Sequence, residues 1–225
     1  EVVVAGRLEE PSAALPYHEP ERTALAAMMA TRPAWLAADV PVAEEAAVIA
    51  AHRSALRLAH RLLLILVPQD PARGAILAQQ IEAAEGWAVA QRGLEQEPDA
   101  DTEVYIPDSD AEYGLWYRLA PVTYMGGSLL GAGCARNPME PAALGSAIIY
   151  GPRPGGYGMV FGRLGAAQAA RAVGSAADLG EALSDLLAPD RAARLAQAAW
   201  GLASEGVEVT DRVIELARRI LDGEG

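Results

Sequence analysis

The run Leu62–Val67 reads LLLILV and is the most hydrophobic stretch of the chain. A strand with one wet face alternates apolar and polar residues, whereas an uninterrupted apolar run is buried on both faces, as in a parallel sheet covered by helices. Parallel strands need long crossover connections, usually helices, and the chain supplies both parts. Further apolar runs lie at Ala34–Ala38, Val122–Met125 and Ala147–Tyr150, with shorter strand signals at Trp87–Gln91, Val104–Ile106 and near Ala167–Ala172. Between them are helical segments at Glu21–Thr31, Ala43–Ala59, Pro71–Ala84 and Glu112–Leu119. The C-terminal part reads as helices at Ala176–Leu187, Pro189–Ala203 and Thr210–Leu221. Strands alternating with helices predict an α/β fold, a Rossmann-like three-layer domain with a parallel sheet of about six strands. In this reading Leu62–Val67 is central and Val122–Met125 lies beside it.

The domain is expected to span residues 21–225. Residues 1–20 read as a linker strand at Val2–Ala5 followed by a loop rich in Pro and Glu. The chain starts at Glu1 without a methionine and is expected to be a piece of a longer protein or a processed product. Its net charge is −12 and its only strong bases are arginines, which argues against nucleic acid as a partner and against electrostatic docking on anionic lipid. No stretch reads as a membrane span or a signal peptide, so a cytoplasmic location is expected. With Cys134 as the single cysteine, an internal disulfide and a zinc cluster are both excluded. His52 and His60 stand eight apart on an expected helix, which is not a ligand spacing. No metal site is expected.

Chemistry concentrates between Tyr124 and Pro152. The strand at Val122–Met125 opens into a loop carrying Gly126, Gly127, Ser128, Gly131 and Gly133. A helix start follows, with Asn137 as N-cap, Pro138 at the first helical position, Met139 next and Glu140 at N3. Strand, glycine loop and helix N-terminus is an arrangement that brings backbone N–H groups and a helix dipole to a phosphate. A second reading stands beside it: Asn137 and Glu140 form a capping box, which needs no ligand.

The stretch from Asp110 to Gly145 resembles the C-terminal half of the Kdo transferases, GT-B glycosyltransferases that transfer 3-deoxy-D-manno-octulosonic acid from its CMP-activated form to lipid A precursors. Gly114–Val122 reads GLWYRLAPV, Gly126–Leu129 reads GGSL and Asn137–Gly145 reads NPMEPAALG. The resemblance implies the donor-binding domain of a two-domain enzyme in lipopolysaccharide biosynthesis. The partners it implies are a nucleotide-sugar donor, CMP-Kdo, and a lipid A precursor held by a missing N-terminal domain. That domain would also supply the catalytic base, so no catalytic residue is assigned here. The implied setting for the full-length protein is the cytoplasmic face of the inner membrane, and no resident cofactor is implied.

On the same resemblance the donor-lining segments fall on Leu66–Arg73, including Pro68 and Gln69, on Asp110–Glu112, and on Asn137–Glu140. Glu140 would take a ribose, and the loop of Gly126, Gly127 and Ser128 would face the phosphate with the help of Arg136. Several positions depart from the family pattern. Gln69 and Asp70 stand where the family carries Arg and His, and Arg136 stands at a family His. Asp39–Glu45 replaces a segment S-T-H-E-G-E-E, and Glu9 stands at a family Lys. The scaffold is kept while polar contacts have changed. A divergent donor site using Arg136 and Arg153, a degenerate nucleotide-binding or scaffold paralogue, and a transferase using a UDP-sugar are the readings this leaves open.

Overall fold

The computed structural model describes residues 15–29, 32–108 and 112–204. The readings at Val2–Ala5, Glu9 and Thr210–Leu221 lie outside these residues, as do Asp110 and Ala111. The described chain forms a sheet of seven strands in the order β3-β4-β2-β1-β5-β6-β7. The strands are β1 Ala34–Val40, β2 Leu63–Pro68, β3 Ala88–Gln91, β4 Thr102–Ile106, β5 Val122–Met125, β6 Ala147–Tyr150 and β7 Ala170–Ala172. Every neighbouring pair runs parallel.

The apolar runs are continuous because successive residues feed opposite layers. Trp35, Ala37, Leu64 and Leu66 pack on one face with α2 (Val42–Leu56), α3 (Gly74–Glu85) and α7 (Ala176–Leu186). Leu36, Ala38, Leu63, Ile65 and Val67 pack on the other with α1 (Glu19–Met29) and α4 (Tyr113–Leu119). Toward β7 the second face is closed by α5 (Met139–Ala143) and α6 (Gly158–Ala166) around Met125, Ile148 and Phe161. Residues 189–204 are helical and add Ala192 and Ala196 to the first layer.

Two expectations about the sheet are corrected. The sheet has seven strands rather than about six, since each of the seven runs marked in the sequence, including the short one at Ala170–Ala172, joins it. Val122–Met125 does not neighbour Leu62–Val67, since β1 lies between them and pairs with both. Both strands are buried along their whole length, and apolar content identifies interior strands without ordering them. Helix ends also shift. The α2 helix stops at Leu56, so His60 is not on it, and a 3-10 turn at Pro71–Arg73 precedes α3.

The strand order creates a switch point. The chain steps from β1 to β2 on one side and later returns from β4 to β5 on the other side of β1. Connections leaving β1 and β5 diverge, and the crevice beyond their C-terminal ends is where open α/β sheets take ligands.

Candidate functional site

β1 reaches the switch point through an irregularity, its register against β2 shifting between Ala37 and Val40. Asp39 within it has φ +54, a left-handed conformation that Asp tolerates better than most residues. Its carboxylate accepts from Gln69 Nε2 at 3.2 Å and lies against the Tyr113 hydroxyl. Burial, with Asp39 nearby, raises the Tyr113 phenol above its ordinary pKa. The Asp70 side chain accepts from Ala72 N at 3.0 Å and caps the 3-10 turn. Arg73, from the same turn, donates to Glu45 at 2.7 Å.

At β5 the backbone must come very close to β1. A Cβ on Gly126 would sit 2.4 Å from the carbonyl oxygens of Ala38 and Asp39, so only glycine fits. Gly127 takes φ +76, a second position that favours glycine. The loop that follows is wound around one side chain. Glu44, fully buried in the first turn of α2, accepts through Oε1 from the N–H groups of Leu129, Leu130 and Gly131 at 2.8, 2.7 and 2.9 Å. Its Oε2 accepts from Gly127 N at 2.8 Å and from the Tyr124 hydroxyl at 2.8 Å. The loop N–H groups that the sequence aims at a phosphate are thus turned onto a carboxylate of the chain itself. Ser128 is likewise committed, its hydroxyl donating to the Met125 carbonyl and accepting from Gly151 N at 2.8 Å.

The segment after the loop carries the remaining candidates. Asn137 Oδ1 accepts from Met139 N at 3.0 Å and its carbonyl from Glu140 N at 3.0 Å. Asn137 therefore closes the turn as its side chain predicts, but the helix starts at Met139 instead of Pro138 and is a short one. Pro138 and Met139 are buried beneath it. Glu140 does not reach back in a capping box. Its Oε2 accepts from Arg136 Nε and Nη2 at 3.1 and 2.7 Å and from Tyr117 at 3.4 Å, which leaves Oε1 outside these three contacts.

The Arg136 guanidinium lies 3.6 Å from the centroid of the Tyr113 ring. Burial would lower its pKa, but Tyr117 and Glu140 outweigh that and raise it, so the cation is firmly held. Burial also holds the Tyr117 phenol well above its usual range. Arg153 donates to the Gly131 carbonyl at 3.0 Å and braces the glycine loop.

The structure thus brings Asp39, Gln69, Tyr113, Tyr117, Arg136 and Glu140 into one network at the switch point, with Pro68 as the last residue of β2 beneath Gln69. Glu112, directly before Tyr113, accepts from Arg92 at 2.8 Å, and Arg92 also pairs with Glu21. Asp39, Tyr113 and Glu44 were not among the sequence candidates. A carboxylate at the C-terminal end of an interior strand was the available signal for Asp39. Glu44 reads in sequence as an ordinary acid in a first helical turn. Among the described residues, no group of three or more His, Cys, Asp or Glu is placed to hold a metal, and no helix is long and apolar enough to cross a membrane.

The chain is similar to characterised proteins over most of its length. A 3-deoxy-D-manno-octulosonic acid transferase of Haemophilus influenzae is 30% identical over 193 residues, which are 85% of this chain and 45% of that one. One from Bordetella pertussis is 31% identical over 172 residues, 75% of this chain and 39% of that one. The chain therefore spans less than half the length of these curated relatives. No family model matches it. Among solved structures, the C-terminal CMP-Kdo binding domain of WaaA from Acinetobacter baumannii superposes with a TM-score of 0.71 at 26% identity, covering 81% of this chain and 97% of that domain. WaaG, a glycosyltransferase involved in lipopolysaccharide biosynthesis, shares the fold with a TM-score of 0.61 at 14% identity, over 92% of this chain and 54% of that one. Sequence and fold together place the chain in the Kdo transferase family, on its C-terminal, GT-B domain.

Proposed function

We propose that this domain binds the nucleotide of CMP-Kdo and serves as the donor half of a Kdo transferase in lipopolysaccharide biosynthesis. The observation that carries the reading is Glu140. It stands at the switch point in a segment that resembles the family's Asn-Pro-Leu-Glu, fixed through Oε2 and able to accept ribose hydroxyls through Oε1. Arg136 is the cation nearest to that carboxylate. It keeps N–H groups beyond those given to Glu140, and guanidinium suits a phosphate. Gln69, Pro68 and the Asn137–Met139 turn complete the rim, while Gly126, Gly127 and Ser128 shape the floor. Transfer itself is assigned to the full-length protein, with the base and the lipid A precursor on an N-terminal domain at the inner membrane, so this chain alone is expected to move no sugar.

Affinity is expected to be weak. Asp39 and Asp70 put negative charge beside the expected phosphate, and Arg136 is already shared with Glu140. Calorimetric titration with CMP and UDP tests the reading. CMP is expected to bind in preference to UDP, and Glu140→Gln to weaken CMP by about tenfold. Tighter binding of UDP, or no CMP binding at millimolar concentration, would overturn it in favour of a UDP-sugar transferase or a scaffold domain.

A further inference from the structure

We infer that Glu44 is a positioning residue that acts as the built-in anion of the glycine-rich loop, so that the loop is shaped by a carboxylate from its own chain and is closed to the phosphate of a ligand. Four N–H groups of the loop, those of Gly127, Leu129, Leu130 and Gly131, converge on it together with the Tyr124 hydroxyl. Converging backbone N–H groups form an anion-binding concavity, and a buried carboxylate is tolerated only when its oxygens are satisfied in this way. Five donors on two oxygens satisfy both partners at once. The loop cannot turn these N–H groups to an outside phosphate without stranding the Glu44 charge in the interior.

The arrangement has a consequence for the site. The loop continues directly into Cys134, Arg136 and Asn137, and Arg153 braces it through Gly131. Cys134 N donates to the Arg153 carbonyl at 3.1 Å, and its thiol donates to the Arg136 carbonyl at 3.2 Å. Glu44 therefore sets the path that delivers Arg136 to Glu140 while touching neither. Its effect on nucleotide binding rests on the function proposed above. Its role as the loop's anion does not.

The test uses the whole chain and its Glu44→Ala and Glu44→Gln variants, with sodium formate as the probe. Glu44→Ala leaves a carboxylate-shaped vacancy lined by unpaired N–H groups. Its melting temperature should fall by several degrees, roughly 5 °C or more, and rise again with added formate, while that of the wild type stays level in the same salt. Glu44→Gln should fall between the two, since its amide oxygen retains one set of donors and its NH2 faces the other. Equal responses of wild type and Glu44→Ala to formate would overturn the inference. If Glu44→Ala does not fold, amide exchange in the wild type decides. The N–H groups of Gly127, Leu129, Leu130 and Gly131 should exchange as slowly as those of β5 and should not shift with inorganic phosphate. Rapid exchange, or a phosphate-dependent shift at these four amides, would overturn it. Absence of CMP binding in the wild type, with Glu44→Ala still rescued by formate, would count against the proposed function and leave the internal-anion role standing.

Discussion

Two regions of the switch point use the same chemistry to opposite ends. In the glycine loop, a fully buried carboxylate takes five hydrogen bonds and nothing is left over. In the rim formed by Asp39, Gln69, Arg136 and Glu140, the groups are half-buried or exposed, and each carboxylate is paired through contacts that a polar ligand can replace. The first region keeps positions that resemble the family, whereas the second keeps Asn137 and Glu140 beside several departures. Glu44 and Glu45 stand at the paired acids of its S-T-H-E-G-E-E segment, and Arg73, at the end of the Leu66–Arg73 segment, pairs with Glu45. The departures Asp39, Gln69 and Arg136 lie in the second, with Asp70 next to Gln69. The comparison teaches that the scaffold of loops has been held while the surface offered to a ligand has been rewritten.

The largest effect should come from breaking the closed region. Glu44→Ala should cost about 3 kcal/mol or more of stability in chemical denaturation, because several buried donors lose their acceptor together. A loss below about 1 kcal/mol would mean that water reaches the loop freely.

The rim should respond in binding rather than in stability. Gln69→Arg with Asp70→His restores cations where the family carries them and should tighten CMP by about tenfold, because an attraction replaces a repulsion beside the phosphate. Arg136→Ala should weaken CMP by about tenfold while lowering the melting point little. Unchanged binding in both would indicate a rim no longer used for a nucleotide.

A third prediction concerns pH. His52 is fully buried, accepting from Trp35 Nε1 at 3.2 Å and packed edge-on against Trp87. Burial lowers its pKa from 6.5 to about 3. Its neutral form is the one that folds, so its contribution is fully present above about pH 6.5 and is lost as pH falls from there toward about 3. Urea denaturation midpoints should decline across that window, and less so in His52→Phe. CMP affinity, which depends on the rim, should not follow His52.

The smallest effect sharpens the boundary between the regions. Cys134 is 4% exposed and burial pushes its thiol up to about 11, so iodoacetamide at neutral pH should label it slowly. Labelling should quicken in Glu44→Ala as the loop opens, and should stay slow in Arg136→Ala.

The layered fold was legible because strands buried on both faces must be apolar throughout, as Leu63–Val67 is, and because helices were separated by Pro and Gly. Strand order was not legible. It depends on which side of β1 the chain returns to after α4, and no residue in β5 encodes that choice on its own. In the site, the Asn137–Glu140 turn was legible from residue types that close turns. The fate of Glu140 was not, because Arg136 and Tyr117 reach it from the preceding turn and from another layer. The glycines were read as a loop facing a phosphate, and at Gly126 the structure shows a close backbone approach to Asp39. What approached was β1 and Glu44, and a pairing across so long a sequence separation leaves no local pattern.

The central claim is that a nucleotide meets the rim and not the glycine loop. Backbone amide shifts followed by NMR during a CMP titration test it most directly. Shifts should concentrate at Gln69 and from Arg136 to Glu140, with Asp39 following, while Gly127, Leu129, Leu130 and Gly131 stay in place. The largest shifts at those four loop amides, with the Arg136–Glu140 turn unmoved, would contradict the account.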